Sequence, residues 1–169
     1  ARGECAAYAG EPFSSRNDPM DSSTFRKRIK EYCVPHSAAK HAQSPKGTYM
    51  VGALARVNNN FRQLRPTARA IAKRAGLTPP LTNPFQNNTA QLVECFHMTE
   101  DAIAIIEKLL EMGPAPEPLK RPRGYGTGIG MVEAPRGILY HEYSINRDGI
   151  VERAECIIPT AQNLRSIED

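Results

Sequence analysis

From Leu92 to Leu110 the apolar side chains return at helical spacing: Leu92, Val93, Phe96, Ile103, Ile106, Leu109 and Leu110. Steps of three and four residues stack side chains on one stripe, because an α-helix turns once in about 3.6 residues. The run begins after Asn88-Thr89-Ala90-Gln91, which has the form of a capping box with Asn88 as the cap and Gln91 reaching back to it. It stops at Gly113, the residue type that most readily takes the left-handed backbone closing a helix. One long helix over 88–112 is therefore predicted, well beyond the usual length of about 11–12 residues. A rod of that length has to span a large domain.

Around it the chain is cut into short elements by 14 prolines and 12 glycines in 169 residues. Residues 1–21 form a loop-rich lead segment, and 22–112 a helical part. Ser22 to about Cys33 carries Phe25, Ile29 and Tyr32 or Cys33 on one face, with Ser22 or Ser23 as cap and Pro35 as stop. Residues 34–48 read as a polar connector. An apolar stretch from Tyr49 to Val57 leads into three asparagines. Pro66 to Ala75 reads as a helix ending before Gly76, and Pro79, Pro80, Asn83 and Pro84 make 78–86 a connector. A Pro- and Gly-rich linker occupies 113–128. In 129–169 the period shifts to that of strands: Ile129 to Glu133, Gly137 to Asn146, and Ile150 to Ile158 across a turn at Arg147-Asp148-Gly149. The expected class is α+β, mainly helical, with a small antiparallel sheet or hairpin near the C-terminus, all in one domain.

Charge and targeting signals exclude several classes. The net charge is +4, much of it in two runs, Arg26 to Lys30 and Lys120 to Arg123. Neither run is interleaved with the aromatic or base-reading side chains of a nucleic-acid interface, so a solvated or partner-facing surface is expected. No stretch reaches the ~20 apolar residues of a membrane span, and Ala1-Arg2-Gly3-Glu4 does not open a signal peptide. With no initiator Met, the ends are expected to be cut ends. Cys5, Cys33, Cys95 and Cys156 contain no C-x-x-C pair; reduced thiols in a cytoplasmic protein are expected.

Gly124, Gly126, Gly128 and Gly130 alternate, but a dinucleotide fingerprint needs glycines at relative positions one, three and six between a strand and a helix. A proline-rich segment precedes this run and a strand follows it. The glycines are instead expected to let backbone pass close to a neighbour. Cys33-x-x-His36 and His41 fall short of the paired spacing of a structural zinc site, and Cys95 and His97 point about 200° apart on the long helix. The segment Glu133-Ala134-Pro135-Arg136-Gly137 differs in kind. It mounts a guanidinium on a turn held by proline and freed by glycine, an arrangement suited to an anionic ligand or developing negative charge. Thr160, after Pro159, offers a hydroxyl at the same end of the paired strands.

The string Val132-Glu133-Ala134-Pro135-Arg136-Gly137, with His141 and Ile157-Ile158-Pro159-Thr160-Ala161-Gln162-Asn163, resembles the active-site signature of nickel–iron hydrogenase large subunits. Val51-Gly52-Ala53-Leu54-Ala55-Arg56-Val57-Asn58 is similar to a second block of that family, and Gln91-Leu92-Val93-Glu94-Cys95 to the start of one of its helices. The resemblance runs from about Ser22 to the end, and Gln162 with the Ala-Leu-Ala-Arg wording is similar to the cytoplasmic, multisubunit branch. It implies reversible oxidation of H2 at a Ni–Fe centre, with an iron–sulfur small subunit and further electron-transfer subunits as partners.

By the same resemblance Arg136 would lie over the metals as a charge-stabilising donor. Pro135 would wall the pocket, Arg136 and Thr160 would bond the iron's cyanide ligands, and Glu133 and His141 would brace the turn. The main-chain carbonyl of Cys156 would meet a structural divalent cation. The family holds its metals with two C-x-x-C motifs, absent here, so the chain alone is expected to be inactive. Two rivals remain: a non-catalytic assembly or interaction module, and the related large subunit of respiratory NADH:quinone oxidoreductase. Leu139-x-His141 and Pro159 to Asn163 favour hydrogenase over the latter.

Overall fold

A computed structural model describes residues 12, 14, 15, 24–116, 118 and 124–169. Its elements run α1 (Phe25–Arg28), β1 (Lys30–Tyr32), β2 (His41–Gln43), α2 (Ala53–Asn60), α3 (Pro66–Arg74), α4 (Asn87–Met112), β3 (Gly126–Ala134), β4 (Gly137–Ile145), β5 (Val151–Ile157) and α5 (Pro159–Glu168). The mixed class is as expected: helices, one of them 26 residues long, and a three-stranded antiparallel sheet near the C-terminus in the order β3-β4-β5. Short 3-10 turns at Phe61–Gln63 and Pro84–Gln86 precede α3 and α4.

Two apolar clusters hold these pieces. In the first, Leu54 and Val57 of α2, Ala68 and Ala72 of α3, and Ala90 and Val93 of α4 pack with Leu64, Leu77 and Leu81. Alanines four residues apart on α3 leave little bulk between helices, so the backbones can approach closely. In the second, Phe25 stacks on Tyr140 with ring centres 5.0 Å apart, beside Ile29, Ala42 and Ile157. Full burial of each large side chain in these clusters contributes about 1.5–3 kcal/mol.

Several expectations are corrected. The helix foreseen from Ser22 to Cys33 is one turn: Ile29 is already extended, and Lys30–Tyr32 pairs antiparallel with His41–Gln43. The hairpin outweighs local helical periodicity, and it places a strand inside the supposed connector 34–48. Ser22, Ser23, Cys5, Lys120 to Arg123, most of the lead segment and part of the linker lie outside the described residues.

The capping box at Asn88 is not formed. Asn83 accepts from the Phe85 amide instead, and Pro84, with its pre-set φ, starts the winding earlier. Asn87 then turns its side chain to the Leu54 amide at 3.2 Å. Gly113, at φ 70°, ends α4 as foreseen.

Three of the alternating glycines, Gly126, Gly128 and Gly130, fall in β3, which starts at Gly126 inside the foreseen linker, and Gly124 precedes it. Nothing among the described residues lies within 4 Å of a Cβ placed at any of the four, so they mark no close approach within this chain. Helix α5 was not foreseen. Its buried face is Pro159, Ala161, Gln162 and Asn163, and two amides there hide the apolar period that signals a helix.

Candidate functional site

β3 and β4 are joined by a two-residue turn, Pro135-Arg136, with Ala134 and Gly137 as the last pair. Proline fixes the first corner, and Gly137 follows at φ 134°, a conformation other residues reach only under strain. A second glycine meets the turn from outside. Gly52, at φ 99°, lies so close that a Cβ there would sit 2.6 Å from the Arg136 carbonyl oxygen. A Cβ on Gly137 would in turn run into the Val51 side chain. The two backbones touch because neither carries a side chain at the contact.

Arg56 of α2 is the clamp. Its Nη1 donates to the Ala134 carbonyl at 3.1 Å and its Nη2 to the Pro135 carbonyl at 2.8 Å. Nε and Nη2 fork onto the two oxygens of Glu94 on α4 at 2.5 and 2.7 Å, and Nη1 also meets Glu133 at 2.5 Å. Side-chain exposure of Arg56, Glu94 and Glu133 is 15%, 13% and 15%, so the cluster is largely withdrawn from water. Burial alone lowers the pKa of Arg56, but the bonds and charges of Glu94 and Glu133 more than offset it and hold the guanidinium above its ordinary value.

The far side of the turn is tied to α5. Asn163 accepts from the Val51 amide at 2.7 Å and donates to the Arg136 carbonyl at 3.3 Å. Gln162, wholly buried, donates to the Ile138 carbonyl at 2.8 Å and accepts from the Tyr49 hydroxyl at 3.2 Å. Burial, reinforced by the charges of nearby groups, pushes the hydroxyls of Tyr49 and Tyr140 well above the usual tyrosine range. All three carbonyls from Ala134 to Arg136 thus accept bonds from distant side chains, and the turn has little freedom left.

Pro135 and Arg136 are exposed, and the Arg136 guanidinium has no partner among the described residues. Glu133 braces the turn through Arg56. Thr160 is exposed in the first turn of α5, at the same end of the sheet as Arg136. His141 stands farther along β4, opposite Cys156 on β5. Its Nδ1 lies 2.9 Å from the Tyr143 hydroxyl and 3.2 Å from the Cys156 thiol, not against the turn. Sequence reading quoted Arg56, Glu94, Gly52, Gln162 and Asn163 within longer strings but assigned them no role. The available signal was polar residues interrupting apolar helical faces.

Cys33, Cys95 and Cys156 are exposed and unpaired, and they sit on different elements. With no C-x-x-C pair in the sequence, this donor set does not fit a four-thiolate nickel centre. No helix among the described residues is long and apolar enough to cross a membrane.

This fold, with its braced Arg-bearing turn, is that of a segment of a nickel–iron hydrogenase large subunit, and over most of its length the chain is homologous to such subunits. It is 34% identical to the alpha subunit of sulfhydrogenase 1 from Pyrococcus furiosus, over 99% of this chain and 39% of that protein. The alpha subunit of sulfhydrogenase 2 from the same organism is 31% identical over 83% of this chain and 34% of its own length. A solved NAD+-reducing [NiFe]-hydrogenase in its H2-reduced state superposes with a TM-score of 0.67 at 28% identity, covering 86% of this chain and 34% of that one. The chain therefore spans well under half the length of these relatives. No family model matches it.

Proposed function

We propose that this chain is the part of a hydrogenase large subunit that presents Arg136 to the metal site of the complete protein. That protein would catalyse the reversible oxidation of H2 to protons and electrons. The observation that carries the reading is the turn itself: three successive carbonyls are fixed from α2 and α5, while the Arg136 side chain is exposed and has no partner among the described residues. Rigid support of a free guanidinium costs four elements their side chains, and it suits a group that must meet negative charge without reorganising. Arginine stays protonated in proteins, so its part is to donate hydrogen bonds and hold charge, not to take up a proton.

Within this reading Pro135 walls the site and the Thr160 hydroxyl adds a second donor. Glu133 braces the turn through Arg56, and His141 belongs to the surrounding support. The Cys156 carbonyl would face a structural divalent cation. The metals would be held by thiolates supplied from the rest of the protein, and the chain alone is inactive. An iron–sulfur small subunit and further electron-transfer subunits would be its partners, in the cytoplasm.

The test is Arg136→Lys in the full-length enzyme, read by H2 oxidation and by nickel and iron content. Lysine keeps the charge but loses the planar fork. Activity should fall at least tenfold with both metals retained. Unchanged activity would remove Arg136 from the chemistry, and metal loss would make it structural. A full-length protein that binds no nickel would favour the non-catalytic module.

A further inference from the structure

We propose that His36, His41 and Glu168 bind one divalent transition-metal ion of the zinc type, fastening α5 to the β1–β2 hairpin. The inference stands apart from the function proposed above, since none of the three lies at the Arg136 turn. His36 lies in the connection after β1, His41 opens β2, and Glu168 ends α5. Folding brings one ligand atom from each to within 4.8 Å of the others. The Glu168 Oε1 sits 2.9 Å from His36 Nε2 and 3.4 Å from His41 Nε2. Tetrahedral zinc with bonds of about 2.0–2.1 Å keeps its ligands about 3.3 Å apart, so the two contacts of Glu168 need only small adjustment.

The second observation is His41 itself. It is wholly buried, yet neither ring nitrogen makes a hydrogen bond among the described residues. Buried polar groups in folded proteins are almost always satisfied, and an imidazole left this way needs a reason. A cation bound at Nε2 supplies one. An ordinary ion pair does not, because His36 already takes the short contact with Glu168. Tyr32 and His36 pack edge-on against the His41 ring, each with centres 5.9 Å away, and fix its orientation.

Neighbouring charges leave the site free for a cation. Lys40 reaches Glu31 at 3.4 Å, and Arg165 reaches Asp169 at 2.6 Å. Two imidazoles and one carboxylate leave a fourth position for water or another ligand. Sequence spacing hid the site, because Glu168 lies 132 residues from His36.

The experiment uses the 169-residue chain with Cys5, Cys33, Cys95 and Cys156 changed to Ser, which removes thiolate binding. After chelator treatment, zinc uptake is measured by competition with a chromophoric chelator, and folding is followed by circular dichroism. One zinc per chain is expected, with affinity falling at least tenfold in His36→Ala and in Glu168→Gln. Both positions are exposed, so neither change threatens the core as loss of His41 would. Zinc should also raise the melting temperature of the unsubstituted site and not of the two variants. Cobalt in its place should show tetrahedral visible bands without sulfur charge transfer. No zinc uptake, or equal affinity in the variants, overturns the proposal.

Discussion

Replacing Arg56 by Met would keep the aliphatic stem and remove the charge and all of its hydrogen bonds. Left behind are Glu94 and Glu133, each about 85–87% withdrawn from solvent at the side chain, and the unanswered carbonyls of Ala134 and Pro135. Removing one partner from a buried ion pair costs about 3–5 kcal/mol, most of it from the charge left unpaired. Folded chains have only about 5–15 kcal/mol to lose. Urea unfolding of Arg56→Met should therefore shift its midpoint by an amount that, multiplied by an unchanged slope, gives about 3–5 kcal/mol. Adding Glu94→Gln and Glu133→Gln should restore part of that loss, because the stranded charges are then gone. A loss below about 1 kcal/mol would match an exposed ion pair. It would mean that water screens the cluster and that Arg56 does not hold the turn.

Gly52→Ala should cost about 2 kcal/mol or more, from positive-φ strain and the collision with the Arg136 carbonyl, measured as a lower urea midpoint. Asn163→Ala removes bonds to the Val51 amide and the Arg136 carbonyl and should cost about 1–3 kcal/mol. Tyr49 and Tyr140 keep their protons in the fold to higher pH than in the unfolded chain. Their stabilising contribution is thus whole below about pH 10 and is lost above it, by about 1.4 kcal/mol per pH unit for each. Unfolding titrations at rising alkaline pH check this; a flat stability curve there would contradict the burial of both hydroxyls. Ile106→Glu and Leu109→Lys on α4 should leave stability within about 0.5 kcal/mol while reducing self-association in light scattering, because both side chains are more than half exposed.

Features set by local chemistry were legible in the sequence. Gly113 ended α4, Gly76 followed α3, and the Asp148-Gly149 corner joined β4 to β5, each where its backbone preference demanded. The Pro135-Arg136 turn was legible for the same reason. Features decided by distant partners were not. Nothing near Lys30 announces pairing with Gln43, and nothing around Asn88 reveals that Asn83 caps the 3-10 turn leading into α4. The clamp was the largest omission: an arginine in an alanine-rich helix looks like a surface residue until Glu94 and Glu133 arrive from elsewhere in the chain. The apolar stripe of α4 was read correctly as a stripe. Yet Val93 is its only fully buried member among the described residues, and Ile103, Ile106, Leu109 and Leu110 remain over half exposed.

The partners of the Arg136 turn also set a timetable. Arg56 meets it across 77 to 79 residues of chain, and Asn163 joins Val51 across 112. Contacts so distant in sequence form slowly, because loop closure must be paid before they give anything back. On the ribosome the β3–β4 corner emerges before Asn163 exists, so its last tie must await the synthesis of α5. A pause or truncation between Gly137 and Asn163 would release a chain with both hairpin strands and no locked corner. Newborn chains stalled at successive lengths should become protease-resistant at this turn only once α5 has left the exit tunnel.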